Sequence, residues 1–206
     1  MNHLPMKPGT LLAPVPVALI GSGNADAEGN PIRNLMTAAW VGTVNSEPPM
    51  VSASVRPSRY TLGLIDATGE FTVCLTDTAM DRGTDLCGVC SGRDGDKFDL
   101  TGWHPLALDG LRYAPGVTES PLCLGCKVRQ RIELGSHVMF IGEIISMTVR
   151  EDLLDEKGAI LLHQDPLLTY SHGVYSATSA PLGFFGWSVA APQTLARRMD
   201  ALKKGK

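Results

Sequence analysis

Short apolar segments separated by turn residues run through most of the chain. Leu11–Ile20 is apolar but contains two prolines, which favours an edge strand or the approach to one. Residues 24–30 (NADAEGN) predict a turn. Glu70–Leu75 alternates polar and apolar positions, which predicts a strand. Leu122–Leu134 and His137–Arg150 predict the clearest pair of strands, joined by a short turn.

Three other segments have helical features. Thr61–Gly69 predicts a short helix that ends at its glycine, residues 78–90 have an irregular helical period, and residues 193–206 predict a terminal helix. Residues 91–98 (SGRDGDKF) form a polar loop. Many short strands with few helices predict a mainly β protein, an antiparallel barrel with peripheral helices. We expect one domain over residues 1–206, with its core in about residues 10–190 and a helical tail after it.

The segment 34–61 joins two apolar runs to a basic end. Met36–Val44 and Val51–Val55 lie on either side of a Pro-Pro turn and predict a strand and a return strand. Two guanidinium groups and three hydroxyls follow within six residues, namely Arg56, Ser58, Arg59, Tyr60 and Thr61. Arginine binds phosphate oxygens through paired hydrogen bonds, and no Walker or Rossmann glycine motif is present to do so instead. The residue types therefore allow two interpretations, an anion site or a solvated basic turn.

Composition and charge narrow the class of protein. With 206 residues, 44% hydrophobic and 19% charged, the chain is long enough for a full core and has no signature of disorder. The net charge of −3 argues against a general nucleic-acid binder. Leu11–Ile20 is too short to span a bilayer and lacks the basic flank and cleavage site of a signal peptide. We therefore expect a cytoplasmic protein without a nucleic-acid or membrane partner.

Four of the five cysteines form two CxxC pairs, Cys87–Cys90 and Cys123–Cys126. An odd number of cysteines without an export signal argues against a disulfide framework. Two such pairs are a layout typical of a zinc site, and the alternative is that buried thiols pack as small hydrophobic groups. Cys126 begins a strand-like segment rather than a polar knuckle, so we expect no metal. No thioredoxin-like βαβ unit surrounds either pair.

Two further side chains have both a functional and a structural interpretation. Lys97 precedes Phe98 and is either a surface lysine beside a core aromatic or a cation that faces a bound ring. His172 lies among hydroxyls in the sequence YSHGVY and is either a surface histidine or a hydrogen-bonding group of a site.

Taken together, eight segments resemble the flavin reductase-like, FMN-binding split-barrel family, and in particular its flavoredoxin-type members. They occur in the family's order and cover most of residues 10–190: 34–40 (NLMTAAW), 52–61 (SASVRPSRYT), 69–75 (GEFTVCL), 87–98 (CGVCSGRDGDKF), 132–144 (IELGSHVMFIGEI), 153–158 (LLDEKG), 170–175 (YSHGVY) and 182–189 (LGFFGWSV).

The resemblance implies a six-stranded antiparallel Greek-key barrel that forms a homodimer with FMN near the subunit interface. It implies an oxidoreductase that moves electrons between NAD(P)H, FMN and a downstream acceptor such as a redox partner protein. Because no Rossmann motif is present, NAD(P)H is expected to bind only transiently. An FMN electron carrier without turnover is the alternative. A zinc module is disfavoured, because the family pattern has cysteine at the positions of Cys87 and Cys126 but not at those of Cys90 and Cys123.

The resemblance also implies the residues of the FMN site. The ring side is Asn34, Met36, Thr37, Ala38, Ala39 and Trp40. The ribityl and phosphate side is Ser52, Ala53, Ser54, Arg56, Arg59, Tyr60 and Thr61. A loop with Ser91, Lys97 and Phe98 closes over the cofactor. His172, the candidate catalytic residue, and Tyr175 approach the flavin from the partner subunit.

Overall fold

The computed structural model describes residues 1–204. Its strands are β1 (Val15–Pro16), β2 (Ala18–Ala25), β3 (Pro31–Ala38), β4 (Val41–Ser46), β5 (Pro49–Val55), β6 (Glu70–Leu75), β7 (Pro105–Leu106), β8 (Gly116–Val117), β9 (Leu122–Glu133), β10 (Val138–Val149), β11 (Leu168–Ser171) and β12 (Val174–Ala177). Its α-helices are α1 (Tyr60–Thr68), α2 (Asp81–Val89), α3 (Lys97–Thr101) and α4 (Pro192–Lys204). No helix within residues 1–204 is long and apolar enough to cross a membrane.

Seven strands form the main sheet, in the order β3-β2-β6-β9-β10-β5-β4, and each neighbouring pair is antiparallel. The edge strands β3 and β4 are consecutive in the chain and are joined only by Ala39 and Trp40. So short a connection brings the two edges of the sheet together, so the sheet is rolled into a barrel. Within residues 1–204, no ladder of hydrogen bonds joins these two edges. The predicted antiparallel barrel is confirmed, with seven strands in place of six.

Two clusters of buried side chains lie on the two sides of the sheet. The barrel interior holds Ile20, Phe71 and Phe140. The second core cluster, between the sheet and the helices α2 and α3, includes Leu19 and Phe98. Neighbouring positions of β2 enter different clusters because strand side chains alternate between faces. Burial on both faces explains why the first half of this strand, Ala18–Gly21, has no polar side chain.

Most predicted elements are present, with shifted ends. The helix predicted over Thr61–Gly69 is α1, and Gly69 ends it at a φ of 69°, where glycine avoids the cost of a side chain. Leu122–Leu134 and His137–Arg150 correspond to β9 and β10. The predicted terminal helix corresponds to α4, and residues 205–206 of that prediction lie outside the described residues.

Three local predictions were wrong. Met36–Val44 is not one strand, because the chain turns at Ala39 and Trp40 and continues as β4. The turn predicted over residues 24–30 begins later, since β2 continues to Ala25. Residues 91–98 are not loop throughout, because the Asp96 side chain accepts a hydrogen bond from the Phe98 backbone N–H and starts α3.

The β11–β12 hairpin is held beside the barrel by backbone and charged contacts. It pairs with β1, and the Leu168 N–H donates to the Thr76 carbonyl at 2.8 Å. Arg150 donates to Asp77 at 2.9 Å and to Asp165 at 3.4 Å. Both carboxylates are buried, so the arginine compensates charges that would otherwise be costly to bury. These contacts fix the position of the hairpin next to the open barrel edge.

Candidate functional site

Three adjoining cavities lie where the β3–β4 corner, α1, α2 and the β11–β12 hairpin meet. The first cavity, about 380 Å³, has walls from Thr37, Ala38, Arg56, His137 and Tyr175 among others. The second cavity, about 230 Å³, is lined by Asn34, Ser58–Thr61, Val89–Arg93 and Lys97, and it shares Met36, Arg59 and Val89 with the first. The third cavity, about 410 Å³, includes Leu12, Ser52 and His172 and shares Trp40 with the first. The volumes of the first and third cavities fall in the range of about 300–1,000 Å³ that is typical of small-molecule sites, and the second is a smaller extension of the first.

The β3–β4 corner forms an aromatic wall of the first cavity. The Trp40 ring is half-exposed and stacks on the His137 ring, with the centroids 6.0 Å apart and the planes 11° apart. Burial and the nearby Arg56 charge lower the pKa of His137 below its ordinary value. Thr37, just before the corner, also lines this cavity and donates a side-chain hydrogen bond to the Thr84 carbonyl, which joins β3 to α2. The stack and this hydrogen bond position the aromatic side of the cavity, and the lowered pKa of His137 favours its neutral form.

Two arginines at the edge of the first cavity lack acidic partners. Arg56 and Arg59 are both exposed, and within residues 1–204 neither has a carboxylate oxygen within 4.0 Å. Among the described residues, the arginines that form ion pairs do not line any of the three cavities. Two uncompensated guanidinium groups three residues apart favour an anion at this position.

Helix α1 begins at the second cavity without a side-chain cap. Arg59 is its N-cap residue, has an extended backbone and makes no side-chain hydrogen bond to the first turn. The first turn contains no acidic residue, and Tyr60 and Thr61 line the cavity. Free backbone N–H groups and the positive end of the helix dipole attract anions. The N-terminus of α1 and the Arg59 guanidinium therefore both attract an anion to the second cavity.

Asn34 places an unpaired acceptor at the second cavity. Its amide nitrogen donates to Ser22 at 3.2 Å and to Thr61 at 2.9 Å, whereas its buried Oδ1 has no hydrogen-bond partner within the described chain. Gly92 is so close that a Cβ there would lie 2.1 Å from Oδ1. A buried acceptor without a partner costs about 1–3 kcal/mol, so a donor supplied by a ligand would be favoured here.

Lys97 is buried rather than exposed, with 3% of its surface accessible. Its Nζ donates to the Leu35 carbonyl at 2.6 Å and to the Cys87 carbonyl at 2.8 Å. Burial lowers the pKa of Lys97, and the charge of Arg59 acts in the same direction. The ammonium is thus a fixed positive group in the wall of the second cavity. The neighbouring Phe98 ring is 1% exposed and packs in the second core cluster, so its side chain does not reach a cavity.

The β11–β12 hairpin covers the opposite side of the first cavity. Tyr175 donates its hydroxyl to Asp85 Oδ1 at 3.2 Å, and its ring meets Tyr170 edge-on with centroids 5.6 Å apart. Burial and the Asp85 charge raise the pKa of Tyr175 to about 12. His172 lies at the exposed hairpin tip with a φ of 43° and lines the third cavity. Both predicted residues lie beside the cavities of their own chain.

The structure brings together most of the predicted site residues. The first cavity is lined by Met36, Thr37, Ala38, Ala39, Trp40, Ser54, Arg56, Arg59 and Tyr175. The second adds Asn34, Tyr60, Thr61, Ser91 and Lys97, and the third adds Ser52 and His172. Ala53 differs, because strand alternation turns its side chain into the barrel interior and leaves only its backbone near the site.

Several lining residues were absent from the prediction. Arg93 adds a third guanidinium to the second cavity, where it lies 5.3 Å from the Tyr60 ring centroid and donates to the Ser58 carbonyl at 3.2 Å. His137 and Asp85 come from segments that were assigned other roles. Their positions depend on contacts between distant segments. Arg93 could have been included, because it lies in the polar segment 91–98 (SGRDGDKF) that was predicted to cover the cofactor.

The two CxxC pairs do not converge on a common point. Cys87 and Cys123 are in the second core cluster, Cys126 packs in the barrel interior, and Cys90 lines the second cavity. Within residues 1–204, no group of three or more histidine, cysteine or acidic side chains could hold a metal ion.

These features define a split β-barrel with a cleft that is aromatic at one end and cationic at the other. The flavin reductase like domain matches residues 11–179, so the chain belongs to this family, and the resemblance seen in its sequence is confirmed. It is similar to the flavoredoxin of Desulfovibrio vulgaris (Miyazaki F), with 30% identity, a TM-score of 0.80 and coverage of 89% of this chain and 97% of the other. For the flavoredoxin of Methanosarcina acetivorans the values are 28%, 0.81, 95% and 100%. A protein of Archaeoglobus fulgidus is 29% identical over 124 residues, 60% of this chain and 70% of its own.

Proposed function

We propose that this protein is an FMN-binding oxidoreductase of the flavin reductase and flavoredoxin type. The main support is that an uncapped helix N-terminus and two unpaired arginines lie directly beside a cavity with an aromatic wall. FMN has the same two ends, a phosphate and a planar ring, joined by a chain of hydroxyls. The family match and the similarity to flavoredoxins support the same assignment.

The side chains present fit this cofactor. Arg56, Arg59 and the first turn of α1 would hold the phosphate, with Lys97 adding a fixed positive charge. The unpaired Asn34 Oδ1 would accept a hydrogen bond from a ribityl hydroxyl. The β3–β4 corner, with Met36, Thr37, Ala38, Ala39 and Trp40, would form the wall against the ring.

Bound flavin would supply the electron-transfer chemistry, and the protein supplies binding, orientation and electrostatics. His137, whose pKa is lowered, would be neutral near pH 7 and able to hydrogen-bond without adding charge beside the ring. Tyr175, held by Asp85, would shield the cavity from water. His172 lies at the rim, where it would contact an incoming substrate rather than the phosphate end.

The electron donor and the oligomeric state belong to the same proposal. NAD(P)H would bind transiently in the space continued by the third cavity, where Trp40 and His172 offer an aromatic face and a hydrogen-bonding group. Apolar side chains near the open side of the site, including Val89 at 72% and Val174 at 60% exposure, support a homodimer that covers them. We also propose a single-domain, cytoplasmic protein with a redox partner protein as electron acceptor.

A non-enzymatic FMN electron carrier is the second candidate, and the similarity to flavoredoxins supports it. The two candidates differ in turnover. Titration of the purified protein with FMN, followed by flavin absorbance and fluorescence, tests the site itself, and failure to bind FMN overturns both. Steady-state oxidation of NADH and NADPH, with and without added FMN, then separates them. Rapid turnover identifies a reductase, whereas tight FMN binding with negligible oxidation of either nucleotide identifies a carrier.

A further inference from the structure

Cys90 differs from the other four cysteines in its position. Cys74, Cys87, Cys123 and Cys126 are buried, whereas Cys90 is partly exposed and lines the second cavity. It is therefore the thiol that a small oxidant in this cavity reaches first. The same cavity contains the unpaired Asn34 Oδ1, an independent indication that a ligand binds here.

A second thiol lies on the same helical turn. Cys87 precedes Cys90 by three residues, and the Cys90 N–H donates to the Leu86 carbonyl at 2.9 Å, so the helical spacing continues to Cys90. That spacing places the two Cα atoms roughly 5 Å apart. Disulfides usually join residues with Cα atoms about 4.4–6.8 Å apart, so this pair can be bridged with a local adjustment of the turn.

The thiol pair is coupled to the cationic wall of the second cavity. The Cys87 carbonyl accepts a 2.8 Å hydrogen bond from Lys97 Nζ. Burial raises the pKa of the Cys87 thiol to about 11, with the Lys97 charge opposing the rise and Cys90 adding to it. The hydrogen bond from Lys97 and the helical spacing of the two cysteines place all three residues at the end of α2. A covalent change at these thiols would therefore disturb the hydrogen bond that Lys97 donates to the Cys87 carbonyl.

We propose that Cys90 is an oxidative modification site, that hydrogen peroxide is its oxidant, and that Cys87 resolves it to an intrachain disulfide that weakens anion binding in the second cavity. The Cys90 thiolate attacks one peroxide oxygen, the O–O bond breaks, and the other oxygen leaves as water after taking up a proton. The Cys87 sulfur then attacks the sulfenic sulfur while its thiol proton passes to the departing hydroxide, which forms the S–S bond and releases a second water. Two thiols lose two electrons and two protons, and peroxide is reduced to two waters.

The disulfide would act on the site through packing. Cys87 is fully buried in the second core cluster, so bridging to Cys90 draws it away from that cluster and distorts the end of α2. Its carbonyl then no longer holds Lys97 in place, and the cavity wall loses its order. The identity of the displaced ligand, the FMN phosphate, rests on the proposed function. The disulfide itself does not.

The experiment treats the full-length reduced protein with stoichiometric hydrogen peroxide and maps disulfides by peptide mass spectrometry. The expected product has one Cys87–Cys90 bridge, three remaining thiols of five, and full reversal by dithiothreitol. Cys90→Ser abolishes the bridge. Cys74 lies opposite Cys123 in the β6–β9 pair, so these two cysteines could form a competing bridge. Cys74→Ala removes that competitor and is the matched control, which should leave the Cys87–Cys90 bridge intact. Oxidation at Cys74 and Cys123, or no disulfide, overturns the proposal.

Ligand binding supplies the second readout. Inorganic phosphate should slow alkylation of Cys90 by iodoacetamide, since both occupy the second cavity. Peroxide should weaken FMN binding about tenfold, the scale of one charge-assisted hydrogen bond, in the wild type but not in Cys90→Ser, each compared with itself before treatment. Equal FMN affinity before and after formation of the mapped bridge overturns the coupling. Absence of FMN binding in the untreated protein overturns the proposed function instead. The mass spectra and the phosphate protection then still test whether Cys90 is oxidised and whether it lies in an anion-binding cavity.

Discussion

Lys97 Nζ donates a 2.6 Å hydrogen bond to the carbonyl oxygen of Leu35, which ties the start of α3 to the middle of β3. A second bond, to the Cys87 carbonyl, ties the same ammonium to α2. One buried side chain thus joins three elements around the second cavity. Its role is architectural as well as electrostatic, because two hydrogen bonds and burial hold the positive charge in place.

Replacing Lys97 with methionine should lower the free energy of unfolding by about 2–4 kcal/mol. Two buried carbonyls would lose their donor, and an unsatisfied buried polar group costs about 1–3 kcal/mol. Urea denaturation measures the change. Lys127→Met is the matched control, since Lys127 is exposed on β9. Equal stabilities of the two variants would show that the hydrogen bonds of Lys97 contribute nothing.

Arg59→Ala should weaken FMN binding by about 1.5–3 kcal/mol, the scale of a hydrogen bond to a charged group. The guanidinium lies between the first and second cavities and has no acidic partner within residues 1–204 that could already neutralise it. Fluorescence titration with FMN measures the loss. Arg112→Ala removes an exposed arginine outside the three cavities and should leave the affinity unchanged. Unchanged affinity in Arg59→Ala would place the phosphate elsewhere.

Gly92→Ala should reduce FMN binding more than Gly95→Ala does. A Cβ at Gly92 would meet Asn34 Oδ1 at 2.1 Å and a Tyr60 ring carbon at 2.9 Å, so the loop must shift away from the cavity wall. At Gly95 the nearest atom is 3.8 Å away, an ordinary contact. Parallel titrations of both variants decide the matter, and equal affinities would mean that the close approach at Gly92 is not required.

His137 should make stability fall as the solution becomes acidic. Burial and the Arg56 charge lower the pKa of His137 in the folded protein, so the unfolded chain binds this proton more tightly. The contribution of His137 to the free energy of unfolding is therefore present above the ordinary value of 6.5 and is lost as the pH falls below it. His137→Gln should reduce this loss in urea denaturation series across that range. His163→Gln, at an exposed position, is the control and should follow the wild type.

Much of the fold could be predicted because its signals are local. The alternation in Glu70–Leu75, the glycine that ends α1 and the long pair β9–β10 depend on neighbouring residues, whose side chains report the period of the backbone. The basic turn after β5 was visible for the same reason, since Arg56 and Arg59 are close in sequence. The boundary between β3 and β4 was missed, because residues 36–44 are mostly small, β-branched or aromatic and carry no turn signal at Ala39 and Trp40.

The amino-acid sequence alone was enough to predict a mainly β barrel, a basic anion-binding candidate and, through its resemblance, the family. Tertiary structure was needed for the burial of Lys97, the packing of Phe98 in the core, the unpaired Asn34 oxygen and the stacking of Trp40 on His137. Each of these features depends on contacts between segments that are distant in sequence, and the sheet register and the packing of the helices determine those contacts. Periodicity describes the faces of an element, whereas burial and hydrogen bonding depend on the partner that covers each face.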